Sequence, residues 1–389
     1  MKTPARTALA ALALSLSAAP AAAQESGAYV IRLGRDTVVV EQFTRTADRI
    51  EGTLVGHTPR TAIRTYTATL RPDGAISALE VITRIPAAPE LLPQTLTVTM
   101  GTDSAAWRTQ RGDTVREGKM AITADATPWI GNAWGLAQPV IRAAQGRGMD
   151  SVAVPVVQAG ARQTGTVSFI RHGADSLLIR SPNGVTRARV DGQGRLLGAH
   201  SPESTFKADV ERVASLDVNA IAASWAARDQ AGQQVGSLSP RDSVAADING
   251  ANVSVAYGRP SLRGRRAVGA ELVPYGQVWR TGANEATHFR TDRDLMFGET
   301  RVPAGDYTLW TVPGPEGWTV IFNRQTGQWG TEYHAEQDLA RIPASVDRAP
   351  GGPVEQFTMR FDASECGDGG ALRLMWENTR VSVPFTVAR

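Results

Sequence analysis

Residues Tyr29 to Phe43 read YVIRLGRDTVVVEQF, two runs rich in β-branched and aromatic residues on either side of Gly34-Arg35-Asp36. Runs of this kind, broken by a glycine and an aspartate, predict two antiparallel strands closed by a tight hairpin. The pattern repeats outward. Ile63–Leu70 meets Pro72-Asp73-Gly74 and returns through Ala75–Thr83. Proline presets φ there and glycine accepts a positive φ, so the turn chemistry is explicit. After the Pro86–Pro93 break, Thr95–Met100, Ala105–Thr109 and Val115–Ile122 resume the strand pattern.

A second meander follows in Val152–Val157, Val167–Arg171, Leu177–Arg180, Val185–Val190 and Leu196–His200. Gly160, Gly173, Pro182-Asn183-Gly184 and Asp191-Gly192 divide it. Two stretches depart from this pattern. Trp129–Gln145 has helical apolar spacing interrupted by Pro139, and Asp217–Ala231 reads as a helix capped by Asp217. Gly232–Pro240 reads as a flexible linker. Beyond it, Val253–Tyr257, Thr287–Thr291, Asp306–Val312, Trp318–Phe322, Gln356–Phe361, Leu372–Glu377 and Val381–Val387 predict an antiparallel sandwich. The expected fold is mainly β: an N-terminal antiparallel meander, as an open barrel or curved sheet with a few helices, followed by a C-terminal β-sandwich. The expected organisation is a leader over 1–23, a β-rich domain over 24–215, a helix and linker over 216–243, and the sandwich over 244–389.

Composition fits this plan. The chain has 389 residues, 42% hydrophobic and 20% charged, which supplies real cores and excludes general disorder. Net charge is 41 − 38 = +3. Without Lys2 and Arg6 of the leader it is 39 − 38 = +1, too little to bind nucleic acid by charge. Met1–Ala23 carries a basic start, an apolar Ala8–Leu16 and the small residues Ala21 and Ala23, which predicts a cleavable bacterial export signal. No later stretch has the length of a membrane helix, so a periplasmic or secreted location is expected, without membrane insertion after leader removal. The single cysteine, Cys366, excludes an internal disulfide and has no basic neighbour to activate it.

Standard catalytic patterns are missing. There is no His-Glu-x-x-His, no Gly-x-Ser-x-Gly and no phosphate loop at Gly118-Lys119, and Gly192, Gly194 and Gly198 lack dinucleotide spacing. His334, Glu336 and Asp338 would share one face if the run were a strand, which makes a metal site geometrically possible, but the expected reading is solvated polar residues in a loop or helix start, with no metal site. No cofactor is implied, and the chain reads as a binding protein rather than an enzyme.

One region is denser in chemistry. Tyr257-Gly258-Arg259-Pro260 leads to Val278-Trp279-Arg280-Thr281-Gly282-Ala283-Asn284-Glu285-Ala286-Thr287. Pro303-Ala304-Gly305-Asp306-Tyr307-Thr308-Leu309, Trp318-Thr319-Val320-Ile321-Phe322-Asn323 and Trp376-Glu377 follow. These segments resemble the uncharacterised bacterial family called domain of unknown function 2911, over about Asp247 to Phe385. His288 departs from the expected small polar residue. The resemblance implies an exported β-domain and brings no activity with it.

Physically, Arg280, Asn284 and Glu285 present a guanidinium, an amide and a carboxylate from one loop. Trp279, Trp310 and Trp329 offer flat apolar walls, and Glu377 a second acid. Such a set suits a small polar or glycan-like ligand, or a protein partner of the envelope. A hydrolase using Glu285 and Glu377 as an acid–base pair is the alternative. A third possibility is purely structural, with Arg280 paired to Glu285 or Glu377 inside a core filled by tryptophans. The N-terminal meanders, if they form an open barrel, would suit an apolar guest.

Overall fold

The computed structural model describes residues 24–388 except 147–149, 159–162, 182–183, 203–205, 349–351 and 366. The leader, Gly160, the Pro182-Asn183 pair and Cys366 therefore lie outside the described residues. The protein is built from two large, mainly antiparallel sheets with two helices.

The first sheet has fifteen strands. Eight of them, from Glu25–Leu33 to Thr114–Ala121, form one meander in chain order. The Gly34-Arg35 hairpin falls where the opening stretch put it, with Gly34 at φ 63°. Glu25–Leu33 also pairs with Asp209–Val213. Through that strand the second meander continues backward to Ser151–Gln158, whose outer neighbour is the short parallel Thr127–Trp129.

Helix α1 (Trp134–Gly146) packs against strands of both meanders. Leu136, Ala137 and Ile141 join Tyr29, Phe43, Tyr66 and Phe169 in one buried cluster. Its first turn is held by the fully buried Glu41, whose carboxylate accepts from Trp134 N at 2.7 Å, Gly135 N at 3.1 Å and the Tyr66 hydroxyl at 2.5 Å. Burial pushes the Glu41 carboxyl up to about 7, against the pull of those hydrogen bonds. Helix α2 (Val218–Gln230) is capped as expected, Asp217 accepting from Ala220 N at 2.9 Å. It covers the smaller cluster of Val40 and Val55 with Val218, Ala222 and Trp225.

The second sheet has eleven strands and is nearly closed. Arg241–Ile248, Ala251–Gly258, Thr287–Thr291, Gly305–Val312, Gly317–Asn323, Asp338–Arg348 and Thr379–Val387 run in spatial order. The last of these branches to Gly369–Glu377 and to Leu295–Phe297. Val354–Ala363 lies back against Arg241–Ile248, so the sheet folds over one core that includes Phe289, Phe322, Phe357 and Trp318.

One expectation needs revision. Gly232–Pro240 is not free: Gly236 N donates to Pro59 O at 3.0 Å and Leu238 packs on the first core. The run His334–Asp338 is the solvated turn that its polar residues predict: Ala335–Gln337 forms a 3-10 turn with His334 and Glu336 exposed. There Asp338 accepts from Asn323, Tyr333 and Arg341.

The sheets also touch directly. Arg35 N donates to Arg263 O at 2.9 Å and Arg263 pairs with Asp36 at 2.6 Å. His200 of the first sheet lies 2.7 Å from Glu271.

Candidate functional site

The loop from Trp279 to Thr287 is fixed before it is functional. Trp279 and Thr311 exchange backbone hydrogen bonds at 2.7 and 2.8 Å. Thr281 and Asn284 both adopt left-handed backbone, φ 54° and 64°. Asparagine tolerates this, whereas a β-branched threonine is strained by about 1–3 kcal/mol unless its surroundings hold it. They do: the buried Thr281 hydroxyl sits 3.2 Å from that of Thr311, and Thr287 Oγ1 donates to Thr281 O at 2.8 Å. Gly258 permits the close approach of the neighbouring strand, since a Cβ there would collide with Ala283 O.

Trp279 is 8% exposed. It stacks on Trp376 (centroids 5.9 Å, 14°) and meets Phe357 and Trp318 edge-on. Its loop borders a cavity of about 360 Å³ between the two sheets. Trp279, Arg280, Asn284 and Trp376 line one side; Leu33, Thr58 and Phe206 come from the first sheet and its connections. Arg265 and Lys207 also line it, and among the described residues no aspartate or glutamate does.

The arginines of this region have separate fates. Arg259 is bound to Asp242, Phe357 O and Thr358. Arg263 joins the sheets through Asp36, and Arg265 donates to Leu262 O and Ser261 O. Arg280 takes none of the partners available to it. Glu285 pairs with Arg241, and the Glu377 carboxylate accepts from Ala267 N at 3.0 Å and Val268 N at 3.2 Å. The Arg280 stem runs over Gly330, where a Cβ would strike its Cδ, and its Nε is buried with no hydrogen-bond partner among the described residues. Burial alone lowers its pKa. A desolvated, unpaired cation beside a basic cavity is a built-in attraction for an anion.

The structure thus brings Trp279, Arg280 and Asn284 to one cavity and leaves Glu285, Trp310, Trp329 and Glu377 off its lining. Trp310 is buried in a minor cluster with Ala286 and Ile321, its Nε1 donating to Thr308 Oγ1 at 3.1 Å. Trp329 is 41% exposed and its backbone bridges to Glu285. The Arg280–Glu285 and Arg280–Glu377 pairings are not formed. Sequence reasoning missed Lys207 and the contribution of the first sheet, because no local signal ties residue 207 to residue 280. Arg265 lies close in sequence to Arg259, Arg263 and Arg266, and nothing in that spacing marks it out.

Residues 239–385 match the model of the family described as Protein of unknown function (DUF2911), which spans the second sheet. A solved structure of a DUF1089 family protein from Pseudomonas aeruginosa is similar at 14% identity and TM-score 0.31, covering 42% of this chain and 90% of that one. No curated protein matches the chain. Among the described residues no helix is long and apolar enough to cross a membrane.

Proposed function

We propose that this chain is an exported envelope protein that binds a small acidic saccharide in the cavity between its sheets. The observation that carries the reading is Arg280, a half-buried cation whose buried Nε has no hydrogen-bond partner among the described residues, at a cavity whose described lining holds three cations and no acid. Trp279 and Trp376 supply indole surfaces for a sugar ring and Asn284 an amide for its hydroxyls, while the guanidinium receives a carboxylate in a bidentate pair. Among the described residues the lining provides no carboxylate for general acid–base work, so the site favours holding a ligand over cleaving it. Export rests on the leader sequence.

Isothermal titration calorimetry with N-acetylmuramic acid and with N-acetylglucosamine tests this. The acidic sugar binds at least tenfold tighter to wild type, and the preference disappears in Arg280→Met. Equal affinity for the two sugars, or an unchanged preference in the variant, overturns the proposal.

A further inference from the structure

The first sheet holds a larger cavity, about 600 Å³, away from the one just described. It opens between α1, the Arg71–Ile76 turn, the 124–127 segment and the strand Ser151–Gln158. Its size falls within the range of about 300–1,000 Å³ typical of small-molecule sites. One side is aliphatic: Ile76, Pro139, Val140, Val152 and Val154. Pro139 and Val140 face it from within α1, and Ile76 and Val152 are buried.

The other side is cationic. Arg45, Arg71 and Arg142 all line the space, and each keeps one guanidinium nitrogen buried without a hydrogen-bond partner among the described residues: Arg45 Nη1, Arg71 Nε and Arg142 Nε. Arg142 is anchored by Glu25 at 2.5 Å, and the half-buried Arg71 lies 3.8 Å from the exposed Asp73. Arg45 reaches the turn, its Nη2 lying 4.0 Å from where a Gly74 Cβ would be. Burial lowers the Arg45 pKa and the charge of Arg142 lowers it further, opposed by Glu25. Asp73 and Asp125 also border the cavity, both exposed. Three clustered guanidiniums with unsatisfied donors are costly to bury, and an incoming anion removes that cost.

We propose that this cavity is a second ligand site, independent of the first, for a single aliphatic chain with a carboxylate head. The chain lies along Ile76, Val140, Val152 and Val154, and the head is received by Arg45 and Arg71. A neutral or cationic head leaves the buried guanidinium nitrogens without an acceptor, and a carboxylate without a chain leaves the aliphatic wall wet, so both halves are required.

The test is calorimetry with sodium dodecanoate below its micelle concentration, on the full chain. Wild type binds one dodecanoate saturably. The double variant Arg45→Gln, Arg71→Gln binds at least tenfold more weakly while its thermal unfolding stays cooperative. Val154→Asp, which charges the aliphatic wall without touching the arginines, weakens binding similarly. Dodecyltrimethylammonium and acetate bind at least tenfold more weakly than dodecanoate, and Arg280→Met leaves dodecanoate binding unchanged. Absence of saturable binding, equal binding of the cationic amphiphile, or an unaltered Kd in the double variant overturns the proposal. Loss of dodecanoate binding in Arg280→Met, with the double variant unaffected, moves the ligand to the first cavity and overturns it as well.

Discussion

Replacing Arg280 by methionine separates a cation kept for a ligand from one that holds the fold together. Methionine preserves an unbranched stem against Gly330 and removes only the guanidinium. In the folded protein that guanidinium has a buried Nε without an acceptor, and both nearby glutamates are committed elsewhere. An unsatisfied buried donor costs about 1–3 kcal/mol. Without ligand the variant should therefore be more stable by about 2 kcal/mol. At ~2–4 °C per kcal/mol for a unit of this size, Tm rises by about 4–8 °C. Urea unfolding followed by far-ultraviolet circular dichroism reads the same difference away from the indoles of the site. Saturating ligand reverses the order, since occupancy at about one hundred times Kd adds about 2.7 kcal/mol to wild type alone. A variant less stable than ligand-free wild type refutes the reasoning, because it shows that the guanidinium is satisfied inside the fold.

Three further outcomes follow from the same geometry. Gly330→Ala places a methyl against the Arg280 stem and Asn284 O, so it costs about 1–3 kcal/mol in urea unfolding and weakens sugar binding together. Glu41 titrates at about 7 when folded against an ordinary value of 4.5, so the folded state binds the extra proton in between. Its contribution is full below 4.5 and is lost as pH rises through 7, about 3 kcal/mol in all, and unfolding curves of Glu41→Gln lack that pH dependence. His200 is half exposed; burial works against its charge, but hydrogen bonds to Glu271 and Asp209 raise its pKa overall. Its contribution to sheet–sheet contact is present below about 6.5 and fades as pH rises through the folded value, which an NMR titration of the His200 ring in wild type and Glu271→Gln detects as a lower pKa in the variant.

The fold was legible where turn chemistry punctuates short apolar runs. Gly34, Pro72-Asp73-Gly74 and Asp191-Gly192 sit between the strands they were expected to join. Arg49–Gly56 escaped notice because its apolar residues do not alternate cleanly and its central Gly52 reads as a breaker. Gly52 is there to admit the Tyr66 ring, against which a Cβ would clash. Asp338–Arg348 was hidden by Pro343, and Asp209–Val213 by its short, charged sequence.

The site was legible as a cluster but not as a cavity. Local sequence placed Trp279, Arg280 and Asn284 on one loop. Whether Arg280 is free depends on Arg241, which takes Glu285, and on the backbone at Ala267 and Val268, which takes Glu377. Those partners come from other strands and loops, so no periodicity reports them. Burial of Glu41 behind α1 and the three-arginine wall beside it are likewise products of sheet curvature, where side chains distant in sequence meet.

Nuclear magnetic resonance of the arginine side-chain Nε–H groups during titration with N-acetylmuramic acid reports on the unpaired guanidinium itself. The Arg280 resonance should shift downfield and saturate with the calorimetric Kd, its exchange with water slowing as the carboxylate seats. If that resonance stays fixed while the sugar binds, or moves no more than that of the fully bonded Arg259, the pocket between the sheets is not where an anion is received.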